Sequence, residues 1–298
     1  MKYLIEPLKK YPLLSDVQGN AKEIVIDVLE NISLNILYGH MGVKPDKSFL
    51  FYGPPGTGKT FITKVINNEA NKGVSKEDKS NIKMFDLITM KYDIGNYGTA
   101  YINQGSRIIQ GFFDAAFDFE AKGQKVFLIF DEADVLFQSR TSGRHGHNED
   151  TKNLETLMKN MQEAYDSDSI YLALITNLNK ELDSASIRSG RIDKKIRFEL
   201  PTLEERVKSF DYEIGKVNEK ADYKAIRNYN SEKLGKLTKD LNYADIKNIV
   251  HTGVKLRIKE LLKDSKGIRV PYATQKYLNK ATKIINLEKE SQRIGFNM

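Results

Sequence analysis

The most chemically informative segment of the sequence is a glycine-rich stretch that ends in a lysine and a threonine. Its residues are Gly53, Pro54, Pro55, Gly56, Thr57, Gly58, Lys59 and Thr60. The glycines allow the backbone to curl so that successive amide groups point inward, which suits a chain of anionic phosphates. Lys59 would reach the β- and γ-phosphates of a nucleoside triphosphate, and the Thr60 hydroxyl would hold Mg²⁺. The stretch therefore predicts a phosphate-binding loop.

Two further groups of polar residues follow apolar stretches of the chain. Asp131 and Glu132 come directly after the apolar run Val126–Phe130. Carboxylates at the carboxyl end of a buried strand lie where ligands bind in open α/β sheets. Asp131 is predicted to orient Mg²⁺ through its water shell, and Glu132 to accept a proton from the attacking water. Asn177 follows another apolar run and is a candidate contact to the γ-phosphate or the water, although Thr-Asn after a strand is also a common turn.

A parallel sheet is the element that would bring these residues together. Between about residues 20 and 200, stretches with helical periodicity alternate with short apolar runs, which is typical of a parallel sheet covered by helices. The predicted strands are 48–52, 82–88, 125–130, 169–176 and 195–200, and the predicted helices are 21–37, 59–70, 101–122 and 153–165. After Pro201 only amphipathic helices are predicted, so a second, all-helical domain is expected.

The composition excludes several classes of protein and of chemistry. With 40% hydrophobic and 29% charged residues, the chain can bury a core and is not a disordered or fibrous protein. Its longest apolar runs fall far short of the roughly 20 residues of a membrane-spanning helix. Glu6 and Pro7 stand where a secretory signal would be apolar, and the absence of cysteine excludes disulfides and thiolate catalysis. We therefore predict a cytoplasmic protein without a membrane span.

Positive charge is concentrated in the last third of the chain. Residues 201–298 carry a net charge of +8 and the preceding residues −1, which together give +7. A solvated helical face explains such a surplus. An acidic partner, whether nucleic acid, a neighbouring subunit or a membrane surface, is the alternative. The sequence has no basic groove interleaved with aromatic residues, so a nucleic-acid partner is the less favoured one.

The three groups of polar residues together resemble the AAA family proper, the namesake clade of the AAA+ ATPases. The resemblance extends from about Asp16 to Leu287. In that family the glycine-rich loop is called Walker A, Asp131 and Glu132 close Walker B, and Asn177 corresponds to the first sensor. The resemblance implies that ATP and Mg²⁺ are the cofactors.

A fold, a division of the chain and an activity are also implied by the resemblance. A P-loop NTPase α/β domain, with three layers around a parallel sheet, would span residues 20–200. A small all-helical lid domain with a C-terminal tail would span 201–298, and residues 1–19 would form an N-terminal segment. The implied activity is Mg²⁺-dependent ATP hydrolysis by a ring, a homohexamer, coupled to remodelling or unfolding of a polypeptide.

Residues 183–194 resemble the family's second region of homology, whose Gly-Arg-Phe-Asp-Arg core is highly specific. Arg191 then corresponds to the arginine finger, a catalytic residue that enters the active site of the neighbouring subunit. Lys194 stands where the pattern usually has a second arginine. Because lysine cannot make the planar two-pronged contact of arginine, the resemblance supports one finger rather than two.

Two weaker matches concern the adenine and the central pore of the ring. Asp16, Val17 and Gly19 match a stretch that lies along the adenine, mainly through backbone contacts, although a plain loop is an equal interpretation. Tyr101 and Ile102 have the spacing of the family's pore loop, which grips the polypeptide substrate. Tyr97 and Gly98 are a competing choice for the pore loop. A tyrosine packed under a helix is the alternative for Tyr101.

Two alternatives to a ring hydrolase remain open in the sequence. One is a nucleotide-gated scaffold that hydrolyses slowly, and the other is a nucleic-acid motor, which only the basic last third suggests. Glu132, Asn177 and Arg191 argue against the scaffold, because a site that only binds nucleotide has no need of them. His145 and His147 invite a metal site, but two histidines in a polar loop without further ligands rarely hold a structural metal.

Overall fold

The structure is a computed structural model that describes residues 4–5, 12–17, 19, 21–72, 87–93, 105–133, 147–177, 192–262 and 272–295. Contacts between residues divide the chain into two compact units. The first comprises Met1–Pro54 and Gly58–Phe198, and the second comprises Pro55–Thr57 and Glu199–Met298. The tip of the phosphate-binding loop thus groups with the C-terminal part of the chain.

A six-stranded sheet forms the centre of the first unit. The strands are β1 (Leu4–Ile5), β2 (Ser48–Tyr52), β3 (Leu87–Asp93), β4 (Lys125–Asp131), β5 (Ile170–Thr176) and β6 (Lys194–Arg197). Their order across the sheet is β1-β3-β4-β5-β2-β6. Strands β2 to β6 are parallel, and the short β1 adds an antiparallel edge to β3. The predicted α/β P-loop NTPase fold is confirmed, and β1 is an addition that the sequence pattern did not predict.

Helices cover both faces of this sheet. They are α1 (Ala21–Ser33), α2 (Asn35–His40), α3 (Lys59–Ala70), α4 (Gly105–Glu120) and α5 (His147–Asp166). Strand β4 illustrates the three layers, because Leu128 and Phe130 join the core that includes residues of α4 and α5. Phe127 and Ile129 join the opposite core, which includes residues of α1 and α3. A strand that is buried on both faces must be apolar at almost every position, which is why β4 reads as a continuous apolar run.

Four predicted elements differ clearly from the observed ones. The helix predicted at 153–165 is α5, which begins at His147, within a stretch predicted as a polar loop. The strand predicted at 82–88 is β3, Leu87–Asp93, so its carboxyl end lies five residues later than the apolar run suggested. The prediction followed that run, whereas β3 places Lys91 between the buried Met90 and Tyr92. The helix predicted at 21–37 is interrupted at Leu34, and β6 ends at Arg197 instead of residue 200.

The second unit has a helical core of its own. Its helices are α6 (Leu203–Lys220), α7 (Ser231–Leu237), α8 (Tyr243–Leu261) and α9 (Gln275–Gly295). They bury a separate apolar cluster that includes Phe210, Leu234, Ile249 and Leu278. Between residues 199 and 295, the described residues contain helices, turns and one isolated bridge, and no extended strand. Among the helices that the structure describes, none has the length and apolar composition needed to cross a membrane.

Candidate active site

The phosphate-binding loop connects the carboxyl end of β2 with the amino end of α3. Gly53, Gly56 and Gly58 have φ values of 137°, 74° and 98°, which side chains of L-residues rarely adopt. Space at the loop is also restricted, since a Cβ at Gly53 would lie 2.1 Å from the carbonyl oxygen of Phe198. These conformations explain why the loop requires glycine at these positions.

Asn242 holds the tip of the loop within the second unit. It is the N-cap of α8, where its side-chain oxygen accepts a hydrogen bond from the amide of Asp245. Its amide nitrogen donates to the carbonyl of Pro55 at 3.1 Å. A Cβ at Gly56 would lie 2.5 Å from the Asn242 side chain, so this position also has no room for a larger residue.

Lys59 is the first residue of α3 and is 5% exposed. Its ammonium group donates hydrogen bonds to the carbonyls of Gly53 and Pro54, each at 2.7 Å. The loop therefore curls around this cation. The amino end of α3 adds the partial positive charge of a helix terminus, so the loop is suited to anionic phosphates.

Asp131 ends β4 beside the start of α3 and is 9% exposed. Its Oδ2 accepts a hydrogen bond from the Thr60 hydroxyl at 3.0 Å. The ammonium of Lys91, on the neighbouring strand β3, lies 2.7 Å from the same oxygen. The two predicted metal ligands are thus adjacent, and a lysine joins them that the sequence did not indicate.

Glu132 has an unusual backbone conformation. Its φ is 56°, in the left-handed region, and its amide donates to Oδ1 of Asp131 at 3.1 Å. Such a conformation costs a residue with a side chain about 1–2 kcal/mol. The next residue, Ala133, donates to the carbonyl of Ile175 at 2.8 Å, which ties this turn to β5. The side chain of Glu132 is exposed at the edge of the sheet, where it can meet solvent and substrate.

Asn177 directly follows β5, the strand between β2 and β4. It is exposed, whereas every residue of β5 is buried. Thr176 pairs with Tyr52 at the end of β2, and Leu174 pairs with Phe130 near the end of β4. The sheet thereby brings the phosphate loop, the two carboxylates and Asn177 to the carboxyl ends of three adjacent strands, as ligand sites of open α/β sheets require.

The segment predicted to contact adenine is in part a turn and in part core. Asp16 accepts a hydrogen bond from the amide of Leu13 at 2.8 Å, and Val17 is buried at 2% exposure. Gly19 is exposed and has a φ of 58°. Nearby, the amide of Leu14 donates to Glu69 at the carboxyl end of α3. The side chains of Asp16 and Val17 have structural partners, so the adenine contact remains a prediction that would use their backbone.

Asp193 anchors the start of β6 to the start of β2. Its Oδ2 accepts hydrogen bonds from the amides of Lys47 and Ser48 and from the Ser48 hydroxyl, at 2.8 to 2.9 Å. Its own amide donates to the Ser48 carbonyl at 3.0 Å. This end of the sheet is opposite to the phosphate loop, because β2 and β6 are parallel.

Lys194 forms an ion pair with Asp27 of α1 in the same chain, at 2.7 Å. The hydrogen bond to Asp27 raises the pKa of Lys194. Its ammonium thus has a local partner in place of the second arginine finger of the family pattern. Three predicted features lie outside the described residues or have undescribed side chains: Arg191, the pore residues Tyr101 and Ile102, and the histidine pair His145 and His147.

Comparison with known proteins identifies the family to which the chain belongs. The family described as "ATPase family associated with various cellular activities (AAA)" matches residues 49–200, just over half of the chain. The matched region begins in β2 and contains the phosphate loop, both carboxylates and Asn177. The chain belongs to the AAA family of ATPases. The predicted family and the predicted enzyme class, ATP hydrolase, are confirmed at this level.

Three relatives illustrate the range of AAA proteins that this chain resembles. An ATP-dependent zinc metalloprotease FtsH of Helicobacter pylori is 30% identical over 99% of this chain and 42% of its own length. A 26S proteasome regulatory subunit 4 homolog of Schizosaccharomyces pombe is 29% identical over 87% of this chain and 53% of its own length. An AAA ATPase forming ring-shaped complexes of Corynebacterium urealyticum is 29% identical over 56% and 31%. The chain thus spans about half the length, or less, of these curated relatives.

The contacts of two residues in this region were not predicted from the sequence, although Asp193 lies within the matched stretch 183–194. Lys91 lies within a strand and Asp193 beside a strand end, and their partners belong to other strands. Only the pairing of β3 with β4 and of β6 with β2 makes these contacts apparent. In the sequence, Lys91 is a charged residue between the apolar residues Met90 and Tyr92. The same pattern is found at ordinary exposed positions of strands, so it does not indicate a functional residue.

Proposed function

We propose that this AAA protein is an Mg²⁺-dependent ATP hydrolase that works as a hexameric ring and uses ATP turnover to remodel or unfold polypeptides. The observation that carries the proposal is the meeting of the phosphate loop, Asp131, Glu132 and Asn177 at the carboxyl ends of β2, β4 and β5. Each of these groups has a separate role in hydrolysis, and a site that only binds nucleotide needs fewer of them.

The residues around Asp131 fit a magnesium ion. The Thr60 hydroxyl and the Asp131 carboxylate are oxygen donors 3.0 Å apart, and Mg²⁺ prefers one or two such protein ligands together with phosphates and water. The Thr60 hydroxyl would therefore hold the ion, and Asp131 would orient it through its water shell. When bound with ATP, Mg²⁺ supplies positive charge to the β- and γ-phosphates.

The protein side chains supply the remaining chemistry. Lys59, which donates to loop carbonyls, would donate to the β- and γ-phosphates when ATP is bound. Glu132 would accept a proton from the water that attacks the γ-phosphate, and Asn177 would orient that water. The adenine would lie along backbone groups of residues 16–19.

A ring is supported by the position of Asp193. This residue lies beside Ser48, and the phosphate loop begins only after Tyr52, roughly 13 Å further along the strand. Arg191 precedes Asp193 by two residues in the sequence. We therefore propose that Arg191 acts on the nucleotide of a neighbouring subunit. The ring-forming relative supports the same assembly.

Polypeptides are the proposed substrate class. Two of the three relatives bear names that refer to proteolysis, a metalloprotease and a proteasome subunit. The pore residues Tyr101 and Ile102 would grip the polypeptide. The basic C-terminal third is assigned to packing and subunit contacts.

Nucleotide binding and turnover test this proposal directly. Lys59→Ala should weaken binding of a fluorescent ATP analogue at least tenfold, because it removes the cation aimed at the phosphates, an effect of about 1.4 kcal/mol or more. Lys64→Ala, on the same helix, is the matched control and should bind like the wild type. Turnover should increase with an unfolded protein such as casein and not with single-stranded DNA. Equal binding by the Lys59 variant, or stimulation by DNA alone, would contradict the proposal.

A further inference from the structure

Lys91 places a positive charge at the predicted metal position. Its Nζ lies 2.7 Å from Oδ2 of Asp131, and the Thr60 hydroxyl donates to that same oxygen at 3.0 Å. The side chains of Lys91 and Asp131 are only 18% and 13% exposed. One carboxylate oxygen thus has two donors, one of them cationic, in a region largely shielded from water.

The strand register explains how Lys91 reaches this position. Lys91 pairs with Ile129, and Asp93 pairs with Asp131, so Lys91 is two positions before the residue opposite Asp131. Ile129 faces the core on the α3 side of the sheet, and side chains on a strand alternate between faces. Lys91 and Asp131 therefore share the face on which α3 begins, and the lysine extends along it to the carboxylate.

We propose that Lys91 competes with the divalent cation for Asp131 and thereby sets the concentration of Mg²⁺ that the site requires. The inference rests on the proposed function, since it concerns the same site. An ammonium and Mg²⁺ on one carboxylate repel each other strongly where water does not screen them. While the Lys91 ammonium stays on Oδ2, it therefore opposes binding of the ion and its water shell.

In the absence of metal the same contact has a stabilising role. Asp131 would otherwise be a largely buried carboxylate close to the exposed turn of Glu132, and burial of an unpaired charge is costly. Lys91 neutralises it and keeps it oriented toward Thr60. Because the pair is mostly buried, it differs from surface ion pairs, which contribute little.

Other roles for Lys91 predict different effects on metal affinity when the lysine is removed. If Lys91 only stabilised the β3–β4 pair, its removal would lower the free energy of unfolding and leave metal affinity unchanged. If it helped to hold Asp131 for the metal, its removal would weaken metal binding. Competition alone predicts that metal binding becomes tighter when the charge is removed.

The experiment measures the metal requirement of nucleotide binding instead of turnover. Binding of a methylanthraniloyl-labelled ADP is titrated with Mg²⁺ in the wild type, in Lys91→Met and in Lys91→Arg. Mn²⁺ binding with unlabelled ADP is followed by electron paramagnetic resonance. Lys159→Met, which removes an exposed lysine from α5, controls for the change in net charge.

Lys91→Met should lower the half-saturating Mg²⁺ and Mn²⁺ concentrations about tenfold, because a nearby like charge is removed. Lys91→Arg, which keeps the charge, and Lys159→Met should remain near the wild-type values. Lys91→Gln gives the same comparison if the methionine variant does not fold, as judged by circular dichroism.

If the half-saturating metal concentrations are unchanged or higher in both Lys91→Met and Lys91→Gln, Lys91 does not compete with the cation. The proposed function would not be affected by that result. A wild-type protein that binds no labelled ADP at any Mg²⁺ concentration would instead contradict the proposed function, and this inference with it.

Discussion

Glu132 has a strained backbone conformation at the carboxyl end of β4. Its φ of 56° is unfavourable for a glutamate, and Asp131 and Ala133 fix the turn on both sides through hydrogen bonds. The conformation presents an exposed carboxylate at the sheet edge while Asp131 remains nearly buried. Two neighbouring acids thereby have different surroundings, as the different roles proposed for them require.

Glu132→Gln should keep ATP binding and lose hydrolysis. The amide fills the same space but cannot accept a proton from water, and loss of a general base lowers turnover about 10²- to 10⁴-fold. Labelled-ATP binding and phosphate release are the two measurements, with Glu155→Gln on α5 as a matched control that should turn over like the wild type. Wild-type turnover by the Glu132 variant would show that another group is the base.

At the residue scale, sequence was informative where the relevant residues are contiguous. Residues 53–60 and the pair Asp131 and Glu132 form unbroken patterns, so their chemistry can be predicted without knowing any long-range contact. Lys91 could not be found in this way, because its significance depends on the neighbouring strand. The same holds for Asn242, whose contact with Pro55 joins distant parts of the chain.

Among the elements, β6 is a short strand that is held at its start by side-chain hydrogen bonds. It has only four residues and its buried side chains are few, so side-chain hydrogen bonds from Asp193 hold its start against β2. Arg191 is two residues away along the chain. We therefore expect changes at Asp193 to affect the action proposed for Arg191.

Asp193→Ala should lower the free energy of unfolding by about 2 kcal/mol, because three donors lose a charged acceptor. It should also reduce ATP hydrolysis more than ATP binding, since Arg191, two residues away in the sequence, is proposed to act on hydrolysis. Urea denaturation and the binding and turnover assays measure the two effects. Asp168→Ala is the matched control, because that side chain is 98% exposed and lies 3.9 Å from Lys47. Equal losses in both variants would contradict the anchoring role.

Lys125 connects the start of β4 to the end of α1 and should make stability depend on pH. It donates to the carbonyl of Ile32 and to Asn35, and burial lowers its pKa from 10.5 to about 8. Between these two pH values the unfolded chain keeps a proton on Lys125 that the folded chain has released. Raising the pH through this window therefore favours the folded state.

The stability of the wild type relative to Lys125→Met should thus increase between pH 7.5 and pH 9.5, two values chosen on either side of about 8. Urea denaturation of both proteins at each pH measures this difference. Lys122→Met, on the exposed turn before β4, controls for the loss of one positive charge. If the difference in free energy of unfolding between the wild type and Lys125→Met stays constant or shrinks as the pH rises, burial does not lower the pKa of Lys125 as expected.

The bounds of strands and helices were predicted correctly for elements that are buried along most of their length. The strand predicted at 48–52 and the helix predicted at 59–70 have the observed bounds, because both follow an apolar pattern and end at the glycine-rich loop or a polar stretch. The end of β3 was misplaced because residues 82–88 and β3 itself both mix apolar and charged residues, so the pattern does not fix where the strand ends. The strand order and the antiparallel β1 depend on long-range pairing, which periodicity does not encode.

For the whole molecule, the central question is whether one chain contains a complete active site. Lys59, Asp131, Glu132 and Asn177 come from one chain and meet at one sheet edge. Asp193 marks the opposite end of the same sheet. If Arg191 completes the site, it comes from another copy, and activity should rise faster than linearly with protein concentration while rings assemble.

Mixing two inactive variants tests this arrangement most sharply. Arg191→Ala should bind ATP almost normally and lose most hydrolysis, because the finger stabilises charge that develops on the transferred phosphoryl group. Glu132→Gln should also be inactive alone. In a mixed ring, an Arg191→Ala subunit keeps an intact Glu132 and receives the finger of an adjacent Glu132→Gln subunit, so partial activity should return. Lys194→Ala is the control for the neighbouring cation, and it should stay active since Lys194 pairs with Asp27 of its own chain. Full activity of Arg191→Ala alone, or a mixture that stays inactive although mixed oligomers form, would show that Arg191 does not act between subunits.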